Sequence, residues 1–600
     1  MLKRIVCASV GVAAWTAIAA GGSPKAELLG SIELSSFSDF QQKVVDFGTT
    51  INNPAVSLMA VPAVQGTLTE TIGKFRPDDP MLFLFYADMA ALRKELAGLG
   101  GDADGDESDC VYPVFLCPCA EGPEKFLAAH PEAKKKGDGL IDLENGKVLL
   151  FSADGRTCAL STNARMAKQA LAEAPFSKSA AARPLFRLNV TEAGTGAFAD
   201  LHQKLLEIGT KELPTPPQAK KEEAALIAFA NTLKKCQLAI GRQQNATLRL
   251  FASLAVDVDL DQTGFVVKGG AKAKPGAPAL PAAGFRLPAG ALDFAPAGSP
   301  LIFAGNYGGS FENGEKFRAV TDELASVLDT VPACVQGDAK CAGAVKGLCT
   351  AGSDLLKTMP APAPTDWFMG ALAFGPQQEP YLVGHTTHAQ ASQEYAVASR
   401  FCAAAAAAVE QTWPGILRAK GASLTVNWMR LVDVIVESSN PTPKDREVAE
   451  KAKKGIVAVM GGQESVFATE QTSPTTLRSY AWAKDFTPPA AAPADERNLA
   501  SVLPEAAAER PSGAFYFALY SLMRDNVLPI VVKASPKQET KDKVQSILTF
   551  LPPSGAKSAI AGASWIDKDG MRFVFRITKD EIKNLATAAA AMIAAPAAAK

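Results

Sequence analysis

Two short motifs in this chain set reactive side chains close together. Cys117-Pro118-Cys119 ends a strand-like run, and His385 and His388 form an H-x-x-H pair after another. A thiol at a helix N-terminus has a depressed pKa and suits disulfide exchange. Two imidazoles three apart on a helix can face one metal, but a zinc site needs a third ligand and an open position for water. Both motifs depart from those patterns. The cysteines have one intervening residue rather than two, and a bridge between residues two apart is strained, so structural pairing with Cys110 or Cys158 is favoured. Glu379 and Glu394 are the carboxylates nearest the histidines, and neither spacing fits a zinc motif.

Acidic clusters offer a second kind of chemistry. Asp102, Asp104, Asp106, Glu107 and Asp109 supply alternating hard oxygens of the kind calcium prefers. An EF-hand starting at Asp102 would need glycine at its sixth position, where Glu107 stands, so a solvated loop is the default. Asp257, Asp259 and Asp261 line one side of a strand, the pattern of a wet sheet face that discourages edge pairing. No nucleophile elbow, phosphate-cradling loop or dinucleotide fingerprint is present. No cofactor is implied.

These groups have to be positioned by elements, and the elements read twice. Each half opens with an amphipathic helix, at Phe40–Phe47 and Phe317–Leu324, with apolar residues three and four apart. Strands follow at Met81–Tyr86 and Trp367–Phe374, then at Val111–Leu116 and Pro380–Val383, each of the latter pair leading into a helix. A hairpin is expected at Lys147–Leu160, turning at Asp154-Gly155. Its counterpart is read as Ile456–Met460 turning at Gly461-Gly462 into Ser465–Ala468. Helices are expected next at Arg165–Ala172 and Thr475–Ala483. Strands after Arg183-Pro184 and Arg510-Pro511 lead to closing hairpins, turning at Asp261–Gly264 and Asp567–Gly570 with identical spacing.

The expected fold is α+β: two tandem related domains, each a mainly antiparallel sheet with helices packed on one face. The boundaries are a cleaved leader at 1–20, a first repeat at 27–273, a Pro/Ala/Gly-rich linker at 274–300, a second repeat at 301–585 and an Ala-rich tail at 586–600. The proline-rich stretch Lys274–Pro300 reads as an extended, poorly packed connection. Cys334, Cys341 and Cys349 fall in what reads as a loop.

Lys3 and Arg4 precede the apolar run Ile5–Ala20, which ends in small residues, the pattern of an export signal. The formal charge is −1 over 600 residues, so no long-range field would draw nucleic acid. No later apolar stretch is long enough to span a bilayer. The reading is of an exported, periplasmic or extracellular protein, non-catalytic, that binds or scaffolds an envelope component or associates with itself. Two alternatives stand beside it. One is a structural part of a surface assembly, and the other an enzyme with its site at the strand-to-helix corner, at His385/His388 or Cys117/Cys119.

Overall fold

A computed structural model describes residues 26–594 apart from short internal stretches, of which 99–109, 174–183, 307–313 and 487–498 are the longest. The expected leader and the Asp102, Asp104, Asp106 loop lie outside the described residues. The fold is α+β, with extensive antiparallel sheet and many helices. The chain divides into two compact units, one of residues 1–208 and 245–277 and the other of residues 209–244 and 278–600.

The strands of the first unit are β1 (Glu27–Leu34), β2 (Met81–Ala87), β3 (Val111–Pro118), β4 (Lys134–Lys135), β5 (Leu140–Asp142), β6 (Val148–Phe151), β7 (Thr157–Ser161), β8 (Phe186–Val190), β9 (Phe251–Asp261) and β10 (Gly264–Ala273). They pair antiparallel in the order β4-β5-β6-β7-β3-β2-β1-β8-β9-β10. Central β2, Met-Leu-Phe-Leu-Phe-Tyr-Ala, is apolar at every position because both of its faces are covered, with Met81, Leu82, Leu84 and Tyr86 buried. One face joins a core containing Phe37, Phe115, Phe126 and Leu149, the other a core containing Leu116, Met166 and Ala170.

In the second unit the strands are β11 (Leu301–Asn306), β12 (Trp367–Phe374), β13 (Pro380–Thr387), β14 (Leu417–Lys420), β15 (Ser423–Asn427), β16 (Glu464–Ser473), β17 (Thr476–Ala483), β18 (Gly513–Phe517), β19 (Ile560–Asp567) and β20 (Gly570–Thr578). Their antiparallel order is β14-β15-β16-β17-β13-β12-β11-β18-β19-β20. Strand for strand this is the order of the first unit with ten added to each number. Helices intervene at matching points: two follow β1 (Phe37–Thr50, Ala55–Ile72) and two follow β11 (Gly314–Cys334, Ala339–Thr358). Both closing hairpins pair aspartate with glycine, Asp261 with Gly264 and Asp567 with Gly570. The glycines have φ of 139° and 151°, a backbone that a Cβ disfavours.

Several local readings are corrected. Residues 456–460 are not a strand but the end of the helix Pro443–Met460. Thr442 and Asp445 form a reciprocal cap at its start, and Gly461 ends it with φ of 76°. A glycine after an apolar run marks a helix stop as readily as a hairpin turn, and here the upstream cap decides. The hairpin instead joins β16 to β17, so the segment read as the helix Thr475–Ala483 is the turn residue Thr475 followed by strand β17. Cys334 and Cys341 lie in the helices Gly314–Cys334 and Ala339–Thr358, as does a buried Cys349, so that cysteine group is not a loop.

The segment 274–300 is packed rather than extended: it runs through successive turns, and Leu280, Leu287, Ala291 and Ala295 are buried. Much of the Ala-rich tail continues the helix Lys579–Ala594, with Ala588 buried. Among the described residues, no helix is long and apolar enough to cross a membrane.

Candidate functional site

The third strand of each unit ends at one of the two motifs. In the first unit β3 runs against β7, which sets Cys117 opposite Cys158. Beyond the strand end the ladder continues, since the Cys119 amide donates to the Arg156 carbonyl at 2.8 Å. On the other side the Arg76 amide donates to the Pro118 carbonyl at 2.9 Å, and the Ala120 amide to the Lys74 carbonyl at 3.0 Å. These bonds stitch the motif between two chain segments. They also turn Cys117, Cys119 and Cys158 into the core that holds Phe37, Phe126, Ile141 and Phe151.

That position works against thiol chemistry. Burial pushes the Cys117 thiol well above its ordinary range, and the neighbouring Cys119 adds to the effect. Cys158 is also raised, first by its hydrogen bond with Cys119 and then by burial. An exchanging thiol needs the opposite shift. The helix expected to activate the pair, Pro123–Ala129, begins only after Gly122 and so does not cap either sulfur. Cys110 lies apart, its thiol 2.6 Å from a Glu95 carboxylate oxygen. Cys117, Cys119, Cys158, Cys236, Cys349 and Cys402 are free thiols.

In the second unit β13 carries His385 within the strand, and His388 follows directly after it. The pair is therefore on extended chain, not on a helix. Residues three apart in such a chain point to opposite sides, so the imidazoles do not converge. His385 is buried with its ring stacked on Phe294 at 3.8 Å and tilted against Trp367 at 5.0 Å. Its Nε2 is 3.5 Å from the Thr387 hydroxyl, and Nδ1 is buried without a hydrogen-bond partner among the described residues.

His388 is fully buried in a separate network. The Gln390 amide donates to Nδ1 at 3.0 Å, which requires a lone pair there and places the ring proton on Nε2. Nε2 is 3.3 Å from Asp366 Oδ2. Asp366, itself buried, accepts from the Ala363 amide at 2.6 Å and the Ala389 amide at 3.0 Å. The carboxylate thus ties the turn before β12 to the chain entering the helix Ala391–Glu410. Glu394 Oε2 lies 3.8 Å from Nδ1. Burial raises the Glu394 pKa, His388 opposes that shift, and Asp366 adds to it.

With Nδ1 accepting and Nε2 protonated, His388 has no lone pair to offer a metal. Among the described residues, no three His, Cys, Asp or Glu side chains group to hold a metal ion. The aspartate row on β9 is also engaged. Asp257 forms a two-pronged pair with Arg187 at 2.7 and 2.8 Å, Asp259 pairs with Lys43 at 2.6 Å, and Asp261 accepts amides in its own turn. The residue that sequence reasoning missed is Asp366. Nothing local marks it, because beyond Ala363 in its own turn its partners, His388 and Ala389, come from a turn more than twenty residues away.

The state of His385 has a measurable consequence. Burial, assisted by Arg478, lowers its pKa from the ordinary 6.5, so the unfolded chain binds this proton more readily than the folded one. Its contribution to stability is present above pH 6.5 and is lost as pH falls through the lower folded value. Denaturation of wild type and His385→Phe across pH 5 to 7.5 should show wild type losing stability relative to the variant below about pH 6.5. A difference that is flat with pH would contradict the burial of a neutral ring.

Comparison with protein-family models, with curated proteins and with solved structures finds no match to this chain.

Proposed function

We propose that this chain is a non-catalytic binding or scaffolding protein of an exported compartment, the periplasm or cell envelope. The export reading rests on Lys3, Arg4 and the apolar run that follows them. The non-catalytic reading is supported by the corners, where His388 and Asp366 hold turns together and the thiols of Cys117 and Cys158 are buried and hard to ionise.

The observation that carries the binding reading is an apolar stripe on the helix Glu192–Gly209. Phe198, Leu201, Leu205 and Ile208 recur at alternating steps of three and four, which puts them along one side of the helix. All four are exposed, Phe198 by 57% and Leu205 by 55%. A single exposed apolar residue is ordinary, whereas a continuous run along one helix face is the pattern of a contact surface. The helix Lys221–Leu248 shows a related pattern, with exposed Leu226, Leu233 and Ile240 spaced by seven. The partner is an envelope protein with an apolar face, or a second copy of this chain.

The test immobilises the purified chain and passes detergent-solubilised envelope over it, with light scattering run in parallel on the free protein. Wild type should retain a partner saturably or self-associate. Phe198→Glu/Leu205→Glu should weaken that contact about tenfold or more, a loss of about 1.4 kcal/mol. No retention and no self-association by wild type, or equal behaviour of the variant, would remove the reading's support.

A further inference from the structure

The sheet of the second unit leaves part of one apolar face open. A row of cross-strand partners runs Phe467, Ala481, Leu382, Leu372, Leu301, Phe517 over β16, β17, β13, β12, β11 and β18. Partners in a row share a face, and all six are apolar. Phe303 is on the same face, two residues beyond Leu301. Leu382 is 52% exposed, Phe303 43% and Phe467 41%, although β13, β11 and β16 are all interior strands. The floor between them is low, because Gly370 pairs with both Phe303 and Gly384. The nearest atoms to a Cβ on Gly384 would be those of its strand neighbours Ser479 and Met369. On the other face Met369, Ala371, Val383 and Tyr516 are buried.

The first unit shows what covers such a face. Matching the closing hairpins at Asp261 and Asp567 and following the registers inward sets Phe303 where the first unit has Ile32, Gly370 where it has Phe83, and Gly384 where it has Phe115. There the face is closed by helices: Phe37 and Val44 of Phe37–Thr50 and Val61 of Ala55–Ile72 share a core with Phe115, Leu149 and Leu160. The stripe Phe198, Leu201, Leu205 and Ile208 is an apolar helix face that the single chain leaves exposed. From Phe198 to Ile208 it is about 15 Å long at the α-helical rise. From Phe467 to Leu301 the row crosses the strands for about 19 Å.

We propose that the helix Glu192–Gly209 of one copy docks on this sheet face of a second copy. The inference rests on the binding reading above and names its partner as the chain itself. Two different surfaces meet, so the contact is heterologous. Each pair keeps one free helix and one free face, and association continues into a ring or a filament instead of stopping at a dimer.

Sedimentation of the purified wild type should show a mean mass that rises with concentration past that of a dimer. Phe198→Glu/Leu205→Glu, which lacks a working helix, and Leu382→Glu/Phe467→Glu, which lacks a working face, should each remain monomeric. Mixed in equal amounts they should form a species of twice the monomer mass and nothing larger, since each supplies the surface that the other has lost. A photo-cross-linking phenylalanine analogue at Phe198 of an otherwise wild-type chain gives a readout that does not depend on how the variants fold. In a mixture of isotope-labelled and unlabelled copies it should attach to β11, β12, β13 or β16 of another copy. Wild type that stays monomeric, folded variants that fail to complement each other, or attachment to the Glu192–Gly209 helix of another copy would overturn the proposal. An envelope component retained by wild type and by the sheet variant, and lost by the helix variant, would uphold the binding reading and overturn this one.

Discussion

Asp366→Ala should lower the stability of the second unit by about 2–5 kcal/mol, because two buried amide donors each lose their acceptor at about 1–3 kcal/mol apiece. The buried carboxylate accepts the Ala363 and Ala389 amides and lies against His388 Nε2. Truncation leaves those donors without an acceptor and leaves a hole beside them. Asp366→Asn keeps the shape and one acceptor oxygen but turns an NH2 toward an amide, so it should fall between wild type and alanine. The readout is specific, because five of the six tryptophans (Trp367, Trp413, Trp428, Trp482 and Trp565) belong to the second unit and the sixth is Trp15. Urea denaturation followed by tryptophan fluorescence should therefore show the shift. A change below about 1 kcal/mol, the size of an ordinary exposed hydrogen bond, would mean that Asp366 is not holding these turns.

In the first unit the largest single-residue effect is expected at Gly194. The Thr191 hydroxyl donates to the Leu28 carbonyl and accepts the Gly194 amide, and the Thr191 amide donates to the Leu29 carbonyl, so the helix start lies directly on β1. A Cβ on Gly194 would stand 2.0 Å from the Leu29 carbonyl oxygen and 2.7 Å from a Val190 methyl. The nearer obstacle is strand backbone, which cannot rotate away as a side chain can. Gly194→Ala should cost about 3 kcal/mol or more, at the upper end of overpacking effects.

Gly196, two residues along the same helix, provides the control. A Cβ there meets nothing within 4 Å, so Gly196→Ala should stabilise by roughly 0.5–1 kcal/mol through helix propensity alone. The first unit lacks tryptophan beyond Trp15, but Cys117 and Cys158 are buried, and pulsed thiol labelling under reducing conditions reports its opening. Opposite signs for the two alanines support the close approach, and equal small effects would deny it.

Much of the sheet was legible because the signals are local. Trp367–Phe374 alternates buried and half-buried residues along its whole length, and the two Asp-to-Gly turns each mark a closing hairpin. Misreadings arose where one local signal serves two structures. Gly461 fits a hairpin turn and a helix stop equally well, and only the cap at Thr442 and Asp445 separates them. The prolines of 274–300 suggested an extended chain, yet Leu280 and Leu287 among them are spaced to be buried in successive turns.

The corners were legible as places but not as chemistry. Sequence spacing suggested paired histidines and paired thiols. What decides their roles is contact across distant chain: Phe294 on His385, Asp366 beside His388, and Cys158 opposite Cys117. Strand parity could have warned that His385 and His388 diverge, had the strand been extended to Thr387. No sequence signal could have supplied Asp366.

The account separates side chains that hold the fold from side chains that meet a partner, and one comparison tests that separation directly. Partner retention or self-association is measured, at equal folded fraction, for wild type, for Phe198→Glu/Leu205→Glu, and for a corner variant carrying Cys117→Ala, Cys119→Ala and Cys158→Ala. The account predicts that the corner variant loses stability but keeps wild-type contact, while the helix variant keeps its stability and loses contact. Contact that survives the helix changes and disappears with the thiols would place the working surface at the corner and contradict it.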